Sequence, residues 1–542
     1  MPKAATRSIP VLVAGGGPVG MTVALFLAHY GVPTILVERN PSTTRHPKMD
    51  LTNGRTMELF RRIGIVDKLR DVGVPRDNPF DISWITSFAG HELHRFRYPS
   101  SNQAAEIAAR VNDGSFTSEA PLRVSQVVIE PALKAAIDAH PLIDVRFNTT
   151  FERIVKNDEA GVVVEVHANG ADETYEIECQ YLAGCDGGGS RVRRQLGIEL
   201  DGNMAVAGAY MVHFRSDARD LMQRWGIAWH YQNGGGSLIA QNDQDIWTLQ
   251  RWLIPGEDPD QLKAEDILET WAGCKFDYEI LQANPWAANL VVAERYVDNR
   301  VALAGDSAHQ YIPTGGYGMN SGIADAAALS WALAALVQGW GGDKLLAAYE
   351  AERKPTAWWH LEAAQRHMAV RIAFSELYAA AGDLEGDSPE AAARRSAAAE
   401  QVVKLGNAEN ESWGVEQGYR YDGSPIIAHE AGAPTIDPLT YRPNTWPGVR
   451  LPHVFLEPGL SIHDKLGRYF TLIALTPTNT AAVRQAAEAA DIPVEIVELN
   501  RPDLLPIYER PLLLVRPDQH IAWRGDRLPD DVNGLLSLAA GR

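Results

Sequence analysis

Residues 11–39 read VLVAGGGPVGMTVALFLAHYGVPTILVER. Val11–Ala14 predict a short buried strand. Gly15, Gly17 and Gly20 then form G-x-G-x-x-G, MTVALFLAHY continues as a helix that Gly31 can terminate, and PTILVE predicts a second strand ending in Glu38. Each part has a mechanical role. Gly15 permits the tight turn, Gly17 lets a pyrophosphate approach the backbone, and Gly20 lets helix and strand pack closely. The helix N-terminus offers free amides and a partial positive charge to phosphates, and Glu38 can accept hydrogen bonds from a ribose diol. A Rossmann-like α/β domain with a dinucleotide site follows. The motif alone leaves NAD and FAD both open.

The rest of the composition narrows the class. A chain of 542 residues can bury a large core and holds two or three domains. It is 45% hydrophobic and 22% charged, as soluble globular proteins are. A net charge of −19 repels nucleic acid and anionic membranes. The three cysteines, Cys179, Cys185 and Cys274, form no CxxC and no metal-ligand cluster, so neither a disulfide scaffold nor a metal site is expected. The opening apolar run is too short for a secretion signal. The run 322–340, GIADAAALSWALAALVQGW, carries Asp325 and reads as a buried helix, not a membrane span. The expected setting is the cytoplasm.

Two further stretches extend the nucleotide reading. Residues 181–197, YLAGCDGGGSRVRRQLG, end a strand in Asp186, followed by Gly187 and its neighbours. This is either a ligand turn or a plain strand–turn–helix with Ser190 as its cap. Residues 305–320, GDSAHQYIPTGGYGMN, put Asp306 at a strand's C-terminal end, where ligands sit in open α/β sheets. Pro313, Gly315, Gly316 and Gly318 strip side chains from the next turn, and a helix expected from Met319 and Asn320 aims its dipole there. Asp306 could hold sugar-like hydroxyls while the turn stabilises negative charge. A reduced flavin with a ribityl chain asks for both features; NAD needs no second glycine turn so far downstream.

In order and spacing, GGGPVG with Glu38, CDGGGSRVRRQLG, and GDSAHQYIPTGGYGMNSGIADAAALSWALAA resemble the motifs of the flavin-dependent aromatic hydroxylases, the class A flavoprotein monooxygenases. RVSQVVIEPAL, with Arg123 and Gln126, resembles the segment lying along their cofactor. The resemblance implies FAD held by Gly15, Gly17, Pro18, Gly20, Glu38, Arg39, Arg123, Gln126, Asp186, Gly187, Asp306, Pro313, Gly316, Gly318, Met319 and Asn320. Many members carry Gln where this chain has Tyr317. It also implies a cycle: NADH or NADPH reduces FAD, O2 adds to give a flavin hydroperoxide, and its distal oxygen is transferred to an electron-rich, typically phenolic, ring. A homodimer without nucleic-acid or membrane partners is expected. The alternatives are an FAD oxidoreductase of the same fold acting on a non-phenolic substrate, by epoxidation or dehydrogenation, and a non-catalytic FAD-binding protein.

The organisation follows. The FAD-binding domain is expected to be discontinuous, over 1–75, 105–200 and 295–360. Residues 201–294, with alternating runs such as AYMVHFR and IWTLQRWLIP, predict an antiparallel sheet; the resemblance implies that this is the substrate-binding domain, with 76–104, rich in Phe, Trp, His and Arg, adding to its cover. Residues 361–447 read as a helical segment and a proline-rich connector. Residues 448–542 resemble the thioredoxin-like tail of phenol-hydroxylase-type members, but contain no cysteine for dithiol chemistry. The candidate base is Asp50, in HPKMDLTNGRTMELF, which aligns with a phenol-hydroxylase run placing an Asp before an Arg-Thr-x-Glu helix. Its competing role is to cap that helix. Tyr231 and Arg251 are further catalytic candidates, and with His213 and Tyr317 they are expected to bind substrate.

Overall fold

Strand β1 (Arg7–Ala14) lies at the centre of a parallel sheet, with Val11–Ala14 completely buried. The structure is a computed structural model and describes residues 7–170, 174–254 and 256–542. β1 pairs in parallel with β2 (Thr34–Val37) on one side and with Thr174–Gly184 on the other. Ile143–Arg146 and Val301–Leu303 extend the parallel sheet at its two ends. Helix α1 (Pro18–His29) returns along the sheet after the first glycine turn. Gly15 has φ +113°, and a Cβ there would lie 2.2 Å from the Cys185 carbonyl oxygen, so the close approach of the two strand ends admits only glycine. A Cβ at Gly20 would lie 2.0 Å from the Gly15 oxygen.

The apolar run at 322–340 lies mostly within helix Tyr317–Gln338. This helix is long and apolar enough to cross a membrane, but it is buried along α1, with Ser330 Oγ donating to the Val23 carbonyl at 3.3 Å. Its first residue is Tyr317, two before the expected start, because Gly316 takes the left-handed cap position at φ +65°. The following helix, Lys344–Ala381, runs 38 residues straight through position 360. One continuous helix thus spans the expected border at 360.

The second sheet has eight strands. Leu200–Arg215, His230–Asn233, Gly236–Ala240, Ile246–Trp252 and Glu279–Ala293 form its body, and Ile82–Ile85 with Glu92–Phe96 add to one edge. It is antiparallel except where His230–Asn233 meets Ile82–Ile85 in parallel. Residues 82–96 and 200–293 thus contribute strands to one sheet. The tail forms a four-stranded sheet, Val494–Glu498, Phe470–Ala474, Leu512–Val515 and Ile521–Gly525 in spatial order, with helices Ala481–Ala490 and Val532–Ala539. This is the expected thioredoxin-like order.

Buried ion pairs weld the tail to the cofactor domain. In helix α2 (Gly54–Arg62), Glu58 is 1% exposed and accepts from Arg450 Nε at 2.8 Å. Arg55 donates to the Asp518 carbonyl at 2.8 Å, and Arg516 Nη2 to Glu352 Oε2 at 2.7 Å. Burial alone would raise the Glu58 carboxyl, but Arg450 and then His463 outweigh it and hold it well below the usual carboxylate range. E58Q leaves Arg450 buried without its counter-ion. Chemical denaturation should show a loss of about 3–5 kcal/mol at neutral pH. Glu58's contribution is fully present above the ordinary glutamate value of about 4.3 and is lost as pH falls toward its depressed value, so the gap between E58Q and wild type should narrow below about pH 4. Equal stability of the two proteins at neutral pH would refute this account of docking.

Candidate active site

The carboxyl ends of the parallel strands converge on two glycine turns. In the first, Glu38 Oε2 accepts from the Gly16 amide at 2.7 Å, and Oε1 accepts from the Asn40 amide at 2.8 Å. Glu38 is thereby fixed beside the turn. Gly17 has extended backbone, and a Cβ there would meet no atom within 4 Å. Open space therefore adjoins α1's first amides, as a pyrophosphate requires. Pro18 is the first residue of α1, and Arg39 is exposed just past β2.

Asp306 is exposed at the second turn and makes no hydrogen bond among the described residues. Pro313 is exposed, Met319 is half-buried, and a Cβ at Gly318 would meet nothing within 4 Å. Asn320 clamps this turn to the segment before α2. Its Oδ1 accepts from the Asn53 amide at 3.0 Å, while Nδ2 donates to the Gly316 carbonyl at 2.7 Å and to that of Leu51 at 3.2 Å. Open glycines, a pinned acid and an unpaired acid form a cradle that fits FAD.

Three expected cofactor contacts are otherwise engaged. Asp186 accepts from the Arg191 amide at 2.7 Å and the Val192 amide at 3.1 Å, and Ser190 Oγ accepts from that of Arg193 at 2.9 Å. The strand–turn–helix reading thus describes Asp186 and Ser190, while Gly187 stays open at φ +80°. Arg123 directs its fork to both Asp243 oxygens at 2.7 Å, tying the cofactor domain to the second sheet. Gln126 Nε2 donates to Glu130 Oε1 at 2.6 Å.

The second sheet turns one face toward this cradle. Cross-strand pairing places Ile82, His230, Ile239, Thr248, His213 and Gln282 in one row. Both ends of its polar part meet the cofactor domain. His230 Nε2 lies 3.2 Å from Asp50 Oδ2, and Gln282 Nε2 lies 3.0 Å from His46 Nδ1. Between them His213 Nδ1 and Thr248 Oγ1 are 2.9 Å apart. Burial pulls His213 down to about 4, so its ring is neutral at pH 7. Trp229 Nε1 also donates to Asp50 Oδ2, at 2.6 Å. Asp50 does not cap α2: Asn53 does, accepting from the Thr56 amide at 2.9 Å.

Tyr231 and Arg251 must be removed from this constellation. Successive side chains of a strand alternate between faces, and both residues have the opposite parity. Tyr231 is fully buried against Phe88 on the far face, and its hydroxyl donates to the Gly226 carbonyl at 3.0 Å. Arg251 forms a two-point ion pair with Glu257 at 2.8 and 2.9 Å. Tyr317 is turned into helix Lys344–Ala381, its hydroxyl 3.0 Å from His367 Nε2 and its ring stacked on His360. Of the four expected substrate contacts, only His213 faces the cradle. Trp229, His230, Thr248, Gln282 and His46 were missed.

Comparison with known proteins bears on the same two parts. A family described as "FAD binding domain" matches residues 8–364, and one described as "Aromatic-ring hydroxylase, C-terminal" matches residues 444–541. The chain belongs to the FAD-dependent aromatic-ring hydroxylases. This hydroxylase is 36% identical to the FAD-dependent monooxygenase apdD of Emericella nidulans, over 100% of its own length and 92% of the relative's. It is 31% identical to 2,4-dichlorophenol 6-monooxygenase of Delftia acidovorans, over 100% and 99%. Among solved structures, the rebeccamycin biosynthetic enzyme RebC with reduced flavin superposes with a TM-score of 0.88 at 31% identity, covering 99% and 100% of the two chains. Aklavinone-11 hydroxylase with FAD and aklavinone gives 0.82 at 27%, covering 99% of each.

Two substitutions test the cradle. The backbone at Gly17 is extended and a Cβ there meets no protein atom within 4 Å, so Gly17→Val should fold normally yet purify with less than about a tenth of the wild-type flavin. Asp306→Ala changes an exposed side chain, so it should keep the melting temperature and weaken FAD by about tenfold, the value of one charge-assisted hydrogen bond. Full flavin loading of the valine variant would contradict the assignment.

Proposed function

We propose that this hydroxylase acts on a ring bearing a hydroxyl group, and that Asp50 is the base that takes the hydroxyl proton. Bound FAD, reduced by NADH or NADPH as is typical of the family, supplies an electrophilic oxygen from O2. The chain's own residues do the rest. Asp50 accepts the proton, which raises electron density on the ring. The polar row of Thr248, His213 and Gln282 orients the ring's other substituents. The sheet covers the cradle and keeps water from the reacting atoms.

The observation that carries this reading is the placement of Asp50. Its backbone carbonyl is held by the Val124 amide at 3.0 Å, and its side chain reaches out of the cofactor domain to the sheet face that looks back at the two glycine turns. A helix-capping role, the alternative explanation for an acid here, is filled by Asn53. The named substrates of the relatives, a dichlorophenol and aklavinone among them, agree with a hydroxylated aromatic ring.

Asp50→Asn should retain FAD and its absorption spectrum. Hydroxylation of a phenol should fall by about 10²–10⁴-fold, the usual contribution of a general base. NAD(P)H oxidation should continue with H2O2 as its product, because the unactivated ring no longer captures the oxygen. Product by mass and peroxide measured together check this. Tight coupling at a near-normal rate would leave Asp50 without a catalytic role.

A further inference from the structure

Both donors that reach the Asp50 carboxylate end on the same oxygen. Trp229 Nε1 is 2.6 Å and His230 Nε2 3.2 Å from Oδ2, while Oδ1 takes no hydrogen bond among the described residues. Consecutive residues of a regular strand cannot both do this, since they point to opposite faces. Here the chain is not yet pleated. The amides of Trp229 and His230 both donate to the Asp81 carbonyl, at 2.8 and 3.3 Å, just before the strand His230–Asn233 begins. The shared acceptor turns the two rings to one side, with centroids 4.1 Å apart. Asp81 is itself fixed, its side chain accepting from the Tyr98 amide at 3.0 Å and from Arg95 at 3.3 Å. Phe80 packs edge-on against Trp229, with centroids 5.7 Å apart. The fully buried Gln232 sets its amide nitrogen 3.5 Å from His230 Nδ1, which leaves Nε2 to carry the proton toward Asp50.

We infer that Trp229 and His230 are positioning residues that saturate Oδ2 and so present Oδ1, alone, to the substrate hydroxyl. This rests on the reading of Asp50 as the base. In the step they serve, the substrate O–H bond breaks, an Oδ1–H bond forms, and the electron pair stays on the phenolate oxygen. Nothing is oxidised or reduced in that step. Both residues act through Asp50, without touching the ring themselves. An indole and an imidazole on one oxygen fix the carboxylate's rotation as well as its charge. A carboxylate with both oxygens free would rotate and bond the hydroxyl in several geometries, and misplacement by about 1 Å can cost about 10²-fold.

The test has two parts, both on FAD-loaded full-length protein. The first needs no substrate. The indole 15N–1H resonance of Trp229, assigned by its loss in Trp229→Phe, should shift clearly in Asp50→Asn, and an unmoved resonance would overturn the contact. The second uses phenol, 2,4-dichlorophenol and 2-naphthol, with product and H2O2 measured for each. Trp229→Phe and His230→Leu should lower product per NAD(P)H by about tenfold or more with little change in KM. His230→Gln, which restores an N–H donor, should recover most of that loss. In the double variant Trp229→Phe/Asp50→Asn the loss should be no larger than in Asp50→Asn alone, which a merely structural role of Trp229 would not produce. Multiplying losses would show that Trp229 acts independently of Asp50 and would overturn the inference. If Asp50→Asn uncouples the reaction while Trp229→Phe does not, the inference fails and Asp50 remains the base. If Asp50→Asn stays fully coupled, the reading of Asp50 has failed instead, whatever the indole resonance does.

Discussion

Asp325 lies within the longest apolar run of the chain, completely buried, and three donors converge on it. Its Oδ2 accepts from the Gly305 amide at 3.0 Å and lies 2.7 Å from His309 Nε2, while Oδ1 accepts from Arg353 at 2.7 Å. A charge at that depth survives only if paired and fully hydrogen-bonded. Burial would raise its carboxyl, but Arg353 and then His309 hold it well below the usual carboxylate range. Each partner belongs to a different part of the site. Gly305 precedes Asp306 in the second turn, and His309 begins the short strand that meets the second sheet. Arg353 sits on the helix that continues past residue 360 and also reaches the Tyr421 hydroxyl. One carboxylate thus fixes where Asp306 stands relative to both neighbouring units.

The division of labour follows from sheet geometry. The parallel sheet brings strand ends and glycine turns together, which suits a cofactor held largely by backbone. The antiparallel sheet supplies side chains instead, because one of its faces is free to be polar. Its alternation sorts residues strictly. His230, Thr248, His213 and Gln282 face the cradle, while Tyr231, Leu238, Leu249 and Val212 fill a separate core behind it. Asp50 is where the two units meet chemically, since it belongs to the first and is oriented by residues of the second.

This geometry explains what could be read from the chain alone. Gly15, Gly20 and Glu38 were legible because their roles are local: a positive φ, a close backbone approach and an acid at a strand end each depend on a few neighbouring residues. Alternation made the strands of 201–294 legible, whereas 76–104 offered only its content of Phe, Trp, His and Arg. Parity was not legible. Alternation shows that Trp229–Asn233 and Ile246–Trp252 are two-faced, but only packing decides which face meets the cofactor domain. Choosing Tyr231 and Arg251 instead of His230 and Gln250 is an error of one residue, which in a strand means the opposite side. Trp229 was harder still, because it shares a side with His230 only through the bifurcated Asp81 carbonyl. Arg123 and Asp186 carried the right residue types for a ligand, yet they find protein partners that sequence spacing cannot reveal. Asp325 was visible only as a charge that argued against a membrane span.

If Asp50 is the base, the reacting hydroxyl lies between the second glycine turn and the sheet face carrying His230, within reach of Asp50 Oδ1. A crystal structure of the FAD-loaded protein with a phenol that it hydroxylates measures this directly. The account predicts the phenol oxygen about 2.6–3.2 Å from Oδ1, the reach of a general base, with Trp229 and His230 still on Oδ2. A phenol bound instead on the far face, against Tyr231 and Arg251, or with its hydroxyl turned away from Asp50, would contradict it.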